Sequence, residues 1–143
     1  MQSIGRHLIL ELWGCHFDLL NSVPGVEQAM RETIDASGLH CIDLKVVPFT
    51  PQGITGVAIL SESHLVIHTW PEHGYAGVEL FVCSPHVDLD KATEVLQRHF
   101  RPAHVAVMQM NRGVMPLGAP PDLQGVAACA SSPSPPDTAG GKR

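Results

Sequence analysis

The chain has 143 residues, enough for one domain and too few for an enzyme with separate cofactor and substrate domains. With 44% hydrophobic and 16% charged residues it has ordinary globular composition, which excludes wholesale disorder. The net charge is −5 and, apart from adjacent Lys142-Arg143, the nine basic residues are scattered singly, so no basic patch for nucleic acid is expected.

Apolar runs such as Val57-Ala58-Ile59-Leu60 are strand-sized and far short of the roughly 18–20 residues that span a bilayer. Leu8-Ile9-Leu10 meets Glu11 with no cleavage-site pattern behind it, so no signal peptide is expected. Cys15, Cys41, Cys83 and Cys129 include no C-x-x-C pair. They suggest free thiols in a reducing cytoplasm, without a disulfide frame or a zinc ribbon.

In chain order, His7–Trp13 is β-prone and apolar enough for an opening strand. Asn21-Ser22 and Pro24 supply helix-start chemistry, Val26, Met30 and Ile34 form one helical face, and Gly38 is a stop. From His40 the period changes to two: Ile42, Leu44 and Val46 alternate with Asp43 and Lys45 as a half-buried strand. Ile54–Leu60 follows the Pro51-Gln52-Gly53 turn. His64–Trp70 and Tyr75–Cys83 flank Pro71-Glu72-His73-Gly74, a hairpin signal.

Asp88 and Asp90 open a second helix with the stripe Leu89, Ala92, Leu96 and Phe100, and Val105 and Val107 lie in a last strand ending near Met110. The order β-α-β-β-β-β-α-β implies an α+β two-layer sandwich over residues 1–115, a mostly antiparallel sheet with two helices on one face. Residues 116–143 hold six of the 12 prolines among Ala, Ser and Gly, and are expected to be a disordered tail.

Common phosphate-loop, dinucleotide, zincin and hydrolase-elbow motifs are absent from the sequence. His64 and His68 share a strand-like segment, which separates them by about 13 Å at ~3.3 Å per residue, so no metal site is expected there.

The informative stretch is Ser61-Glu62-Ser63-His64-Leu65-Val66-Ile67-His68-Thr69-Trp70-Pro71-Glu72-His73-Gly74-Tyr75, with Phe81-Val82-Cys83 downstream. With Ser3-Ile4-Gly5-Arg6-His7-Leu8, it resembles the bacterial and archaeal S-adenosylmethionine decarboxylase proenzymes, a pyruvoyl-dependent family. The resemblance runs to about Gly113 and does not cover the tail. It implies a self-cleaving carboxy-lyase that decarboxylates S-adenosylmethionine and so yields the aminopropyl donor for spermidine.

Such an enzyme makes its cofactor from its own serine. On this resemblance Ser63 would attack the Glu62 carbonyl, an ester would replace the amide, and elimination would cut the chain between residues 62 and 63. The residue left at 63 hydrolyses to a pyruvoyl group, which takes the substrate amine as a Schiff base and serves as electron sink. The resemblance implies Cys83 as proton donor in catalysis and His68 as acid/base in processing. It also implies Thr55, where the family generally has serine, as processing helper. Phe49, Trp70 and Trp13 would provide aromatic walls for adenine, and Glu72 the carboxylate for the ribose hydroxyls.

Two geometric expectations follow from the hairpin. If Trp70 and Tyr75 flank the turn, paired positions sum to 145, which sets Cys83 beside Glu62 and Ser63. Five residues of extended strand put His68 about 16 Å from its own Ser63. A symmetric homodimer in which His68 of one chain serves Ser63 of the other resolves this, and shared interfacial sites are implied by the family. Two other functions compete: a pyruvoyl-dependent decarboxylase of L-ornithine or L-arginine, and an uncleaved inactive regulatory subunit.

Overall fold

The computed structural model describes residues 3–115, and the expected tail, with Cys129, lies outside the described residues. The elements are β1 (Gly5–Trp13), α1 (Phe17–Leu20), α2 (Val23–Ala36), β2 (Cys41–Pro48), β3 (Ile54–Leu60) and β4 (Ser63–Trp70). A 3-10 turn over Pro71–His73 then leads to β5 (Tyr75–Val82), α3 (Leu89–Phe100) and β6 (His104–Arg112). The strands form one six-stranded sheet in the order β2-β3-β4-β5-β1-β6, antiparallel at every pairing.

Local chemistry accounts for the helix ends. Ser22 Oγ accepts from the Gly25 N–H at 3.1 Å, Pro24 occupies the first turn of α2, and Gly38 follows the helix at φ +75°. Asp88 caps α3 by accepting from the Lys91 N–H at 2.9 Å. Asn21 is not the N-cap of α2; it ends α1, and its Oδ1 accepts from the Gly53 N–H at 3.1 Å and ties the β2–β3 loop to the start of α2.

The sheet has two unlike faces because strand side chains alternate. Leu8, Leu10, Leu12, Leu65, Ile67, Val78 and Leu80 are buried with Val26, Met30 and Ile34 of α2 and Leu89, Leu96 and Phe100 of α3. Each large side chain removed from water this way contributes roughly 1.5–3 kcal/mol. The other face carries His7, Glu11, His64, His68 and Tyr75 together with the exposed apolar Val57, Ile59, Met108 and Met110.

The two-layer α+β sandwich is therefore present, with two departures in detail. A register shift between Cys41 and Asp43 takes Ile42 out of the alternation and leaves it 61% exposed, while Leu44 and Val46 pack on the core. The short helix α1, for which the sequence shows no periodicity, is anchored by buried Leu20, whose carbonyl accepts from Thr69 Oγ1 at 2.8 Å.

Candidate active site

The β3–β4 connection is a two-residue turn, with Leu60 paired to Ser63 and Ser61-Glu62 between them. Four contacts fix it. The Ser61 N–H donates to the His40 carbonyl at 2.9 Å. The Glu62 carboxylate accepts from the His40 main-chain N–H at 3.0 Å and meets the His40 ring Nδ1 at 2.6 Å. The Glu62 carbonyl oxygen accepts from the Cys83 N–H at 3.0 Å. Partial burial works to raise the Glu62 carboxyl, but its bonds from His40 and from its own main-chain N–H outweigh that and hold it below the usual carboxylate range.

Ser63 has φ +145°, a region that side-chain-bearing residues rarely occupy and that costs on the order of 1–3 kcal/mol. Strain is thus concentrated at the residue following the Glu62 carbonyl. Ser63 Oγ lies 3.2 Å from His64 Nδ1. Ser63 pairs with Val82 and Trp70 with Tyr75, so the hairpin register is the one expected, and half-buried Cys83 follows directly on β5 beside Glu62 and Ser63. Arg6 steadies the segment after Cys83 by donating to the carbonyls of Ser84, Pro85 and Val87 at 3.3, 3.3 and 2.7 Å.

The remaining sequence-derived residues gather at the opposite end of the sheet. Thr55 and His68 are cross-strand partners, with Thr55 Oγ1 2.9 Å from His68 Nδ1. Trp13 and Trp70 flank Tyr75, with ring centroids 4.3 and 5.3 Å from it. The Tyr75 hydroxyl donates to Glu11 at 2.8 Å; burial and that carboxylate push its pKa up to about 12. Phe49, 55% exposed, follows β2, and Glu72 is exposed in the Pro71–His73 turn.

The chain thus brings Glu62, Ser63 and Cys83 together at one end, and Thr55, His68, Trp70 and Trp13 at the other, with Phe49 and Glu72 in the loops there. It does not bring His68 to its own Ser63: the two are separated by five residues of β4, about 16 Å of extended strand. His40, His64, Glu79, Glu11 and Tyr75 were not singled out as site residues. The 145 register pairs Tyr75 with Trp70 and sets Glu79 one diagonal from His64, so two of these positions were within reach of hairpin arithmetic.

The sequence profile of the family described as S-adenosylmethionine decarboxylase matches residues 6–113. The chain belongs to the S-adenosylmethionine decarboxylase family. A Thermomicrobium roseum protein named S-adenosylmethionine decarboxylase proenzyme is 48% identical over 116 residues, covering 80% of this chain and 98% of the relative. A Methanococcus maripaludis protein of the same name is 44% identical over 115 residues, covering 80% and 94%. The crystal structure of the adenosylmethionine decarboxylase from Aquifex aeolicus superposes with a TM-score of 0.75 at 28% identity, covering 81% of this chain and 96% of that one.

S-adenosylmethionine decarboxylases are carboxy-lyases, and the sandwich described here is their fold. Among the described residues no group of three or more His, Cys, Asp or Glu side chains is placed to hold a metal ion. No helix among them is long and apolar enough to cross a membrane.

Proposed function

We propose that this chain is a self-cleaving decarboxylase of S-adenosyl-L-methionine whose pyruvoyl group is made from Ser63. The observation that carries this reading is the Glu62–Ser63 bond: strained φ at Ser63, and a carbonyl already polarised by the Cys83 N–H. Attack by Ser63 Oγ on the Glu62 carbonyl carbon puts negative charge on the oxygen that this N–H holds. Breaking the C–N bond leaves an ester between residues 62 and 63 and a free amine on residue 63. Loss of the Ser63 α-proton then expels the Glu62 carboxylate and leaves dehydroalanine, which takes up water and releases ammonia.

These residues suit a pyruvoyl group at position 63, which when formed supplies the electron sink for loss of the substrate carboxylate. Cys83 beside it is the donor that returns a proton to the substrate α-carbon. Phe49, Trp70 and Trp13 offer aromatic surface for adenine, and Glu72 a carboxylate for the ribose diol. The decarboxylated product is the aminopropyl donor for spermidine.

A homodimer of cleaved protomers completes the site. Within one protomer the cleavage corner and the Thr55–His68 pair lie at opposite ends of the sheet, and the face uncovered by helices exposes Val57, Ile59, Met108 and Met110. A two-fold pairing lets His68, Thr55 and Glu72 of one chain serve Ser63 and Cys83 of the other. A reducing, cytoplasmic setting suits the unpaired Cys15, Cys41 and Cys83.

The test is release of carboxyl-labelled carbon dioxide from S-adenosylmethionine, ornithine and arginine by self-cleaved protein. Turnover of S-adenosylmethionine alone is expected, and turnover of either amino acid in its place would overturn the substrate assignment.

A further inference from the structure

We infer that His64 is the base that takes the Ser63 hydroxyl proton in the first step of self-cleavage, with Glu79 as its positioning residue. This rests on the self-cleaving reading above and adds to it a second histidine with a separate proton to move.

Neighbouring residues of a regular strand point to opposite faces, so Ser63 and His64 should not meet. They do meet, at 3.2 Å between Oγ and Nδ1, and Ser63 is the residue whose φ of +145° breaks the strand conformation. The same distortion that strains the scissile bond accompanies an imidazole nitrogen within reach of the attacking oxygen.

The far side of the His64 ring is also occupied. Its Nε2 lies 3.6 Å from Glu79 Oε1, and the other Glu79 oxygen lies 3.8 Å from His7 Nε2. Arg112 Nη1 sits 3.1 Å from His7 Nδ1, so Arg112 donates there and the His7 Nε2 proton is left facing Glu79. The charged and titratable groups around His64 are therefore Glu79 and, beyond it, His7 and Arg112, with Cys83 following the residue paired to Ser63. A carboxylate at Nε2 favours the tautomer protonated there, which leaves the Nδ1 lone pair toward Ser63 Oγ. The Ser–His–carboxylate sequence is that of an activated hydroxyl nucleophile.

The step balances within the protein. Nδ1 takes the Oγ proton as Oγ bonds to the Glu62 carbonyl carbon, and the Cys83 N–H holds the resulting oxyanion. The imidazolium returns the proton to the Ser63 nitrogen as the C–N bond breaks, leaving an ester and a neutral histidine. Removal of the Ser63 α-proton is a different event, left to His68 of the second chain.

Hydroxylamine, which cleaves esters and spares amides, separates the two roles. Freshly folded His64→Ala should self-cleave about 10²–10⁴-fold more slowly than wild type. Its uncut chain should resist hydroxylamine, and added imidazole should restore part of the rate. His68→Ala should instead accumulate chain that hydroxylamine splits at residue 62. Glu79→Gln, a near-isosteric change, guards against a misfolded His64 variant. Its cleavage should be slower, and Glu79→Asp, which keeps a carboxylate on the same strand position, should recover part of the rate.

Wild-type cleavage rates in His64→Ala, hydroxylamine-sensitive ester in that variant, or slow cleavage that imidazole does not restore would each overturn the base role. A wild-type cleavage rate in Glu79→Gln, or Glu79→Asp no faster than Glu79→Gln, would overturn the positioning role. A wild-type chain that never cleaves would instead overturn the self-cleaving reading on which both depend.

Discussion

The main-chain N–H of Cys83 donates to the carbonyl oxygen of Glu62 at 3.0 Å. On the proposed cleavage, one residue contributes a backbone donor at the scissile carbonyl and a thiol to the pocket that results. The two contributions are separable, because a side-chain substitution keeps the N–H. Cys83→Ala should retain self-cleavage while decarboxylation falls about 10²–10⁴-fold through loss of the reprotonating acid. Gel analysis of cleavage alongside a carbon dioxide release assay checks both halves, and unchanged turnover would assign the proton donor elsewhere.

The His40–Glu62 contact predicts a pH-dependent stability. The Glu62 carboxyl sits below its usual range in the folded chain, held by the His40 ring and N–H against the opposing effect of partial burial. A carboxylate depressed in this way stabilises the fold above the unfolded-state value, about 4.3 for glutamate, and loses that contribution as pH falls through the lower folded value. In an uncleavable Ser63→Ala background, Tm should drop on acidification below about pH 4.3. Adding Glu62→Gln should lower Tm at pH 7 and flatten the part of the acid dependence that Glu62 causes. Parallel thermal melts across pH 3–7 measure this.

Substrate recognition should separate from processing. Trp70 and Glu72 lie at the end of the sheet away from the Glu62–Ser63 bond of their own chain. Trp70→Ala and Glu72→Gln should both self-cleave. Each should raise KM for S-adenosylmethionine about tenfold or more: stacking of a base on an aromatic ring contributes about 1–3 kcal/mol, and a hydrogen bond to a charged carboxylate about 1.5–3 kcal/mol. Steady-state kinetics on fully cleaved protein decides it, and an unchanged KM would remove that residue from the pocket.

The shared site predicts complementation. Ser63→Ala and His68→Ala should each be inactive alone. In mixed dimers the intact Ser63 of one chain meets the intact His68 of the other, restoring one site and leaving its twin without both groups. Random pairing makes half the dimers mixed, so up to roughly a quarter of wild-type sites should return. No recovery despite exchange of tagged subunits would mean that His68 acts within its own chain.

Much of this was legible because the signals are local. Ser22, Gly38 and Asp88 mark helix ends through chemistry completed within a few residues. The Pro71–Gly74 connector fixes the β4–β5 register, and with it the placement of Cys83 beside Glu62 and Ser63. What escaped depends on distant pairings. The bulge that exposes Ile42 arises from how β2 meets β3. The His40–Glu62 contact spans 22 residues and needs that same pairing. His7 reaches Glu79 only because β1 lies beside β5, and a strand inventory does not set that lateral order. The φ of Ser63 was hidden for a different reason: periodicity describes regular strands, and the proposed scissile bond sits where regularity fails.

Intact-mass measurement of the purified wild-type chain and its Ser63→Ala variant is the most direct test of self-cleavage at Ser63. Wild type should give fragments 1–62 and 63–143, the second with a blocked N-terminus. Their summed mass should exceed that of the full chain by one water less one ammonia, whereas simple proteolysis adds a whole water. Ser63→Ala should remain a single chain. A Ser63→Ala protein that splits at this bond, or wild-type fragments carrying the mass of hydrolysis and a free serine N-terminus, would contradict it.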